Sequence, residues 1–121
     1  MTKGKYVDGF VIVIPAKNVE AYKKMAREGR AAWLKFGALD YKECIGDDIT
    51  PGRGPSDFSK LTKLKEGETV WFSFITFKSR AHRDAVNKKV MAHFDKKYSK
   101  EKIDMPFDMK RLTYGGFKVE V

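Results

Sequence analysis

An intrachain disulfide is closed to this chain, because its 121 residues include one cysteine, Cys44. A single thiol forms no intrachain bridge and no cysteine-clustered zinc site. The two histidines, His82 and His93, fall in no metal-ligand spacing such as H-E-x-x-H. Glu43, Asp47 and Asp48 gather carboxylates of the kind a hard cation prefers, but they lack EF-hand spacing, so no metal is expected. There is no G-x-S-x-G, no P-loop and no dinucleotide fingerprint, and no cofactor is expected. No apolar run approaches the roughly 18 residues of a membrane span. The opening Met1-Thr2-Lys3-Gly4-Lys5 lacks the apolar region of a secretory leader, and a cytoplasmic protein is expected.

Acidic residues are also in short supply, 16 against 25 lysines and arginines, for a net charge of +9. Basic chains attract nucleic acids and anionic surfaces. Here the cations are spread over both helical segments, the long loop and the C-terminal third, as on a solvated surface. Binding of RNA or another polyanion is therefore kept as an alternative rather than the leading reading.

What the chain does have is apolar strand. Hydrophobic residues make up 42% and aromatics 13%, enough to build one domain with a real core. In Val70–Lys78, a period of two puts Val70, Phe72, Phe74 and Thr76 on one face and Trp71, Ser73, Ile75 and Phe77 on the other. A strand apolar on both faces is covered on both. Tyr6–Ile14 reads the same way until Pro15 ends it. Asn18 is placed to cap an amphipathic helix of about 17 residues, whose stripe is Val19, Tyr22, Ala26, Trp33 and Phe36 and whose stop is Gly37. Leu39–Gly46 is a more polar strand suited to a sheet edge, with Leu39, Tyr41, Glu43 and Ile45 on one face.

The connection from Asp47 to Thr69 is long enough to be a lid or a flexible hairpin extension, with Phe58, Leu61 and Leu64 available to anchor its second half. Ser79 is placed to cap a second helix to about Ala92, with Ala81, Ala85, Val86 and Met91 as buried positions. The basic stretch from His93 to Lys100 extends it as a short helical piece. Met105–Asp108 is a structured loop, and Lys110–Val121 is the last strand, where Gly115-Gly116 marks a bulge or a close backbone approach. The order β-α-β-β-α-β predicts an α+β, ferredoxin-like domain: a four-stranded antiparallel sheet, first and third strands inside, helices on one face. Its helix-free face, rich in Phe, Ile, Trp and Val, would be covered by a second copy, and a homodimer is predicted.

Several blocks carry a family likeness: Tyr6-Val7-Asp8-Gly9-Phe10-Val11, Phe36-Gly37-Ala38-Leu39, Glu43-Cys44 with Asp47-Asp48, Phe72-Ser73, Arg83-Asp84 with Asn87, and Met105-Pro106-Phe107-Asp108 followed by Lys110-Arg111 and Tyr114-Gly115-Gly116-Phe117. Over nearly the whole chain these resemble the YbaA-like family, small proteins that carry a domain of unknown function. The resemblance implies a ferredoxin-like fold within the dimeric α/β-barrel superfamily and no established activity. Superfamily relatives include cofactor-free monooxygenases, haem-degrading enzymes and small-molecule isomerases, but none of their catalytic patterns maps onto these residues.

Candidate chemistry rests on a few positions. Asp8 lies within a strand fit for burial, where an unpaired carboxylate is costly and calls for a cation. Antiparallel pairing of the first and last strands makes Arg111 that candidate. Asp8, Arg111 and Tyr114 are the candidate catalytic groups, with a structural ion pair and aromatic packing as the plainer readings. Trp71, Phe10, Asp108 and Glu43 are candidate ligand contacts. Trp71 and Tyr114 combine apolar area with one polar tip, while Asp108 is equally a turn cap. Cys44 reads as packed, His82 as a surface residue and His93 as a helix-end residue. Three functions compete: a dimeric protein binding or transforming a small apolar or aromatic molecule between sheet and helices, an RNA-binding module using the long loop and Lys88–Lys102, and an interaction protein with no ligand.

Overall fold

The computed structural model describes residues 5–49, 51–52, 56–98 and 104–121. β1 (Tyr6–Pro15) runs through a 3-10 turn, Ala16–Asn18, into α1 (Val19–Lys35). Then come β2 (Asp40–Ile45), a short α2 (Phe58–Thr62), β3 (Glu68–Phe77), α3 (Arg80–Tyr98), a 3-10 turn at Met109–Arg111 and β4 (Leu112–Lys118). The fold is α+β: four antiparallel strands in the order β2-β3-β1-β4, with α1 and α3 packed on one face. The strands that are apolar on both faces, β1 and β3, occupy the two inner positions. Among the described residues no helix is long and apolar enough to cross a membrane.

Helix ends follow local chemistry. Gly37, at φ +115, ends α1 in a left-handed turn, with the Ala38 amide donating to the Trp33 carbonyl (2.9 Å) and that of Gly37 to Leu34 (3.2 Å). This two-bond closure satisfies carbonyls that the helix leaves open. Ser79 starts α3 by accepting from the His82 amide at 3.0 Å. Asn18 occupies the cap position of α1 but does not cap it; its Nδ2 donates instead to the Pro106 carbonyl at 2.9 Å. That bond ties the start of α1 to the segment that leads into β4.

The core is the helix-facing side of the sheet. Ile75 and Phe77 pack with Ala32, Val86 and Val90, and Ile12, Ile14 and Trp71 pack with Tyr22 and Ala26. Phe77 and Val90 are fully buried, and truncating such a phenylalanine costs about 3–5 kcal/mol. Small residues line the underside of α1: Ala26, Gly29 and Ala32 are all buried. They let the helix lie close to β2. A methyl group on Gly29 would stand 3.1 Å from the Tyr41 hydroxyl.

Several expectations need correction. α3 continues unbroken to Tyr98, so His93 lies inside it, packed edge-on against Phe36 at 5.7 Å. Residues Ser99 and Lys100 of that expected helical piece lie outside the described residues. The buried positions of α3 are Val86 and Val90, while Ala81, Ala85 and Met91 are exposed. Cys44 is exposed, because alternation along β2 turns it to the helix-free side. Phe58 and Leu61 are exposed and do not anchor the long connection. Asp57 and Arg111 hold it instead. Asp57 accepts from the amides of Lys60 and Gly52, both at 2.8 Å. Arg111 donates to the Thr62 carbonyl at 2.8 Å and pairs with Glu68. The last strand is Leu112–Lys118, in unbroken register with β1, so Gly115-Gly116 is no bulge. Gly116 is a close approach: an added methyl would meet the Tyr6 ring at 3.0 Å and Arg83 Nη1 at 3.1 Å.

Candidate functional site

Alternation along β2 sends Tyr41 and Glu43 beneath α1, and Glu43 pairs directly with Ser73 on β3. Ser73 is the buried hydroxyl between Trp71 and Ile75 on the inward strand face that runs from Thr69 to Phe77. A buried hydroxyl in such a place requires a partner, and Ser73 Oγ donates to Glu43 Oε1. Tyr22, at the end of the first turn of α1, donates to the same oxygen at 2.7 Å, and Tyr41 donates to Oε2 at 2.7 Å. Burial, followed by the negative charge of Glu43, pushes both tyrosine hydroxyls well above the ordinary tyrosine range. The raised pKa values keep both hydroxyls in the donor form above the pH at which a free tyrosine ionises. An ionised carboxylate offers about four acceptor positions. With two bonds on Oε1 and one on Oε2, the described residues leave one position, on Oε2, for a further donor.

This carboxylate stands in the wall of a cavity of about 760 Å3 between sheet and helices. Aromatic and sulfur-bearing side chains dominate the rest, including Phe10, Trp33, Phe94, Phe107, Met25 and Met105. The rings form a connected wall: Tyr22 meets Phe107 edge-on at 5.7 Å, and Trp33 lies 5.9 Å from Tyr41 and 6.3 Å from Phe94. Two other carboxylates reach the lining, both in contact with solvent. Glu28 is bonded by Tyr98 and Lys97, and Asp104 is exposed. Although the chain carries +9, no lysine, arginine or histidine appears among the described lining residues.

A second polar cluster lies behind that wall. Asp8 is 1% exposed and accepts from Arg83 Nη1 at 2.7 Å and from Asn87 Nδ2 at 3.3 Å. Asn87 in turn accepts from the Trp33 indole at 2.9 Å, joining the cluster to the cavity wall. Arg83 also donates to the Tyr114 hydroxyl (2.7 Å) and lies over the Tyr6 ring at 4.9 Å. Burial works against the Arg83 charge, but Asp8, Asp84 and the two tyrosines outweigh it, and its pKa is raised.

Of the seven residues singled out in the sequence, Phe10 and Glu43 line the cavity. Phe10 also packs on Tyr114 with centroids 4.9 Å apart. Asp8 and Tyr114 belong to the Arg83 cluster. Trp71 is buried beside Tyr22 at 5.0 Å, its indole donating to Thr69. Asp108 caps the turn before β4 by accepting from the Lys110 amide at 2.9 Å. Arg111 is not the partner of Asp8: register places Gly116 opposite Asp8, and Arg111 falls five positions further along. Tyr22, Tyr41 and Ser73 were not singled out. Their signal was present in Ser73, an isolated hydroxyl within an apolar strand face.

These features describe an α+β domain whose sheet and long helices enclose a mainly apolar cavity with one hydroxyl-held carboxylate in its wall. The chain belongs to the family described as protein of unknown function (DUF1428), which it matches over residues 5–109. It is 42% identical over 114 residues to the uncharacterized protein YbaA of Escherichia coli (strain K12), covering 94% of this chain and 95% of that one. The YbaA of Shigella flexneri matches with the same identity and coverage. The family membership agrees with the resemblance carried by the strand and loop blocks described above.

Proposed function

We propose that the chain binds, and through Glu43 exchanges a proton with, a small apolar or aromatic molecule that bears a hydrogen-bond donor and no negative charge. One observation carries this reading: a carboxylate with three hydroxyl donors and one remaining acceptor position, set in the wall of an aromatic cavity. A volume of about 760 Å3 falls among ligand pockets, which are mostly apolar with a few oriented polar groups. The absence of cations among the described lining residues disfavours an anion. Asp8, Arg83 and Asn87 act in this reading through Trp33, holding the wall in place.

The test is NMR titration of the 15N-labelled protein with 2-naphthol, its methyl ether and 2-naphthoate, read at the Trp33 indole. The naphthol is expected to shift that resonance saturably, the ether to bind more weakly and the carboxylate least. Glu43→Gln should erase the preference for naphthol over ether. If all three compounds leave the Trp33 signal unmoved at millimolar concentration, the reading is wrong.

The same proposal includes the quaternary state, a ferredoxin-like protomer paired into a dimeric α/β barrel. Support comes from the helix-free face, where Phe72 is 47% and Phe117 62% exposed among Val7, Val11 and Phe74. The charged strand residues of that face stand at its margins: Asp40 and Lys42 on the β2 edge, and Glu68 at the start of β3, where it pairs with Arg111. A nucleic-acid platform would need basic residues around its stacking aromatics. A second copy of an uncharged apolar face suits this one better.

A further inference from the structure

On the other side of the wall made by Tyr41 and Glu43 lies a second depression, of about 360 Å3. It opens along the outer flank of α1, and its rim is basic: Lys23, Arg27 and Arg30 on the helix, with Lys42 bordering it at the β2 edge. Steps of four and three residues put the helical three on one face, where like charges repel. Lys23 is partly offset by Glu20 at 3.4 Å, and Lys42 by Asp40 at 3.0 Å. The side chains of Arg27 and Arg30 make no hydrogen bond and no ion pair with a described residue; Arg30 acts on Asp40 only at longer range. Glu43 also borders this groove, but its oxygens are turned to Tyr22, Tyr41 and Ser73.

We propose that the groove is a separate binding site for a small oxyanion, a phosphate or carboxylate group held between the side chains of Arg27 and Arg30. A guanidinium presents a planar fork of donors that matches both groups, and it is less strongly hydrated than an ammonium. Lys23 and Lys42 add positive charge to the lining, and Trp71 and Ile45 add apolar surface. The bound anion relieves the repulsion that the helix face otherwise sustains. The site does not depend on what the apolar cavity holds.

The two tryptophans of the chain report on different places, Trp71 on the groove and Trp33 on the cavity. The full chain, 15N-labelled, is titrated with sodium phosphate and in a separate series with succinate, ionic strength being held constant with sodium chloride. A saturable shift of the Trp71 indole and of the α1 amides from 23 to 30 is expected below about 10 mM, with Trp33 unmoved. Arg27→Gln with Arg30→Gln, both exposed positions, should weaken it at least tenfold. Lys88→Gln with Lys89→Gln removes the same charge from α3 and should leave it intact. Saturation by phosphate alone or by succinate alone supports the site and identifies the group it takes. If neither anion saturates, or the arginine variant titrates like the wild type, no such site exists.

Discussion

The Tyr41 hydroxyl stands 2.7 Å from Oε2 of Glu43, two residues along the same strand and on the same face of β2. With Tyr22 on the other oxygen, two phenols are held in their protonated form by burial and by the adjacent negative charge. A folded-state pKa above the unfolded value of about 10 contributes stability that is complete below pH 10. That contribution is lost as pH rises towards the folded-state value. Between those limits each tyrosine steepens the decline by about 1.4 kcal/mol per pH unit. Urea unfolding between pH 9 and 11.5 should show stability falling from about pH 10, and Tyr41→Phe should fall less steeply. Equal slopes in the two proteins would mean that Tyr41 ionises as freely folded as unfolded.

Gly116 leaves no room for a side chain beneath Tyr6 and Arg83. Its backbone is in regular register, so an alanine there is obstructed by neighbours rather than by its own dihedrals. Gly116→Ala is expected to cost about 1–3 kcal/mol, in the range of overpacking. Adding Tyr6→Phe removes the oxygen nearest the new methyl. The double variant should therefore be less destabilised than the sum of the two single changes, measured by chemical denaturation. Strict additivity would show that Tyr6 is not the obstacle.

Asp8 and Arg83 form a pair at 2.7 Å in which the carboxylate is 1% and the guanidinium side chain 12% exposed. Removing one partner of a buried pair leaves the other charge uncompensated, at about 3–5 kcal/mol. Arg83→Met is expected in that range. Asp8→Asn should cost less, because Arg83 keeps Asp84 at 2.7 Å. A double-mutant cycle should return a clear coupling energy for the two positions. If the Trp33–Asn87–Asp8 chain holds the cavity wall, Asp8→Asn also moves the Trp33 indole resonance, although the two residues share no direct bond.

The architecture was readable because periodicity survives in one dimension: the double apolar faces of β1 and β3 announce inner strands, and Gly37 announces the end of α1. The inward direction of Tyr41 and Glu43 follows from the same alternation. Their convergence with Tyr22 and Ser73 does not, since it depends on β2–β3 register and on how closely Ala26 and Gly29 let α1 approach the sheet. Arg111 illustrates the limit. It lies in the 3-10 turn just before the neighbouring strand, and even Leu112, where that strand begins, is four residues from Gly116 opposite Asp8, roughly 14 Å at about 3.4 Å per residue. The cation that Asp8 needs comes instead from α3, and which of 25 basic residues arrives there is a property of helix packing. The cavity's place between sheet and helices was part of the sequence reading, but its lining was hidden, since it depends on how α1, α3 and the segment leading into β4 pack.

Phe72 and Phe74 lie 6.0 Å apart on the helix-free face, with Phe117 on the same side of β4. If two copies cover this face, a charge at its centre must be desolvated on pairing or must prevent it. Phe72→Lys should therefore convert a dimer into a monomer without unfolding it, because Phe72 is already 47% exposed within a single chain. Sedimentation equilibrium at micromolar concentration should give twice the chain mass of 13.9 kDa for the wild type and the single mass for the variant. Circular dichroism should be unchanged, and a Lys88→Glu control on the opposite face of the sheet should remain dimeric. A wild-type protein that sediments as one chain would remove the pairing proposal and leave the cavity, which lies on the other face, untouched.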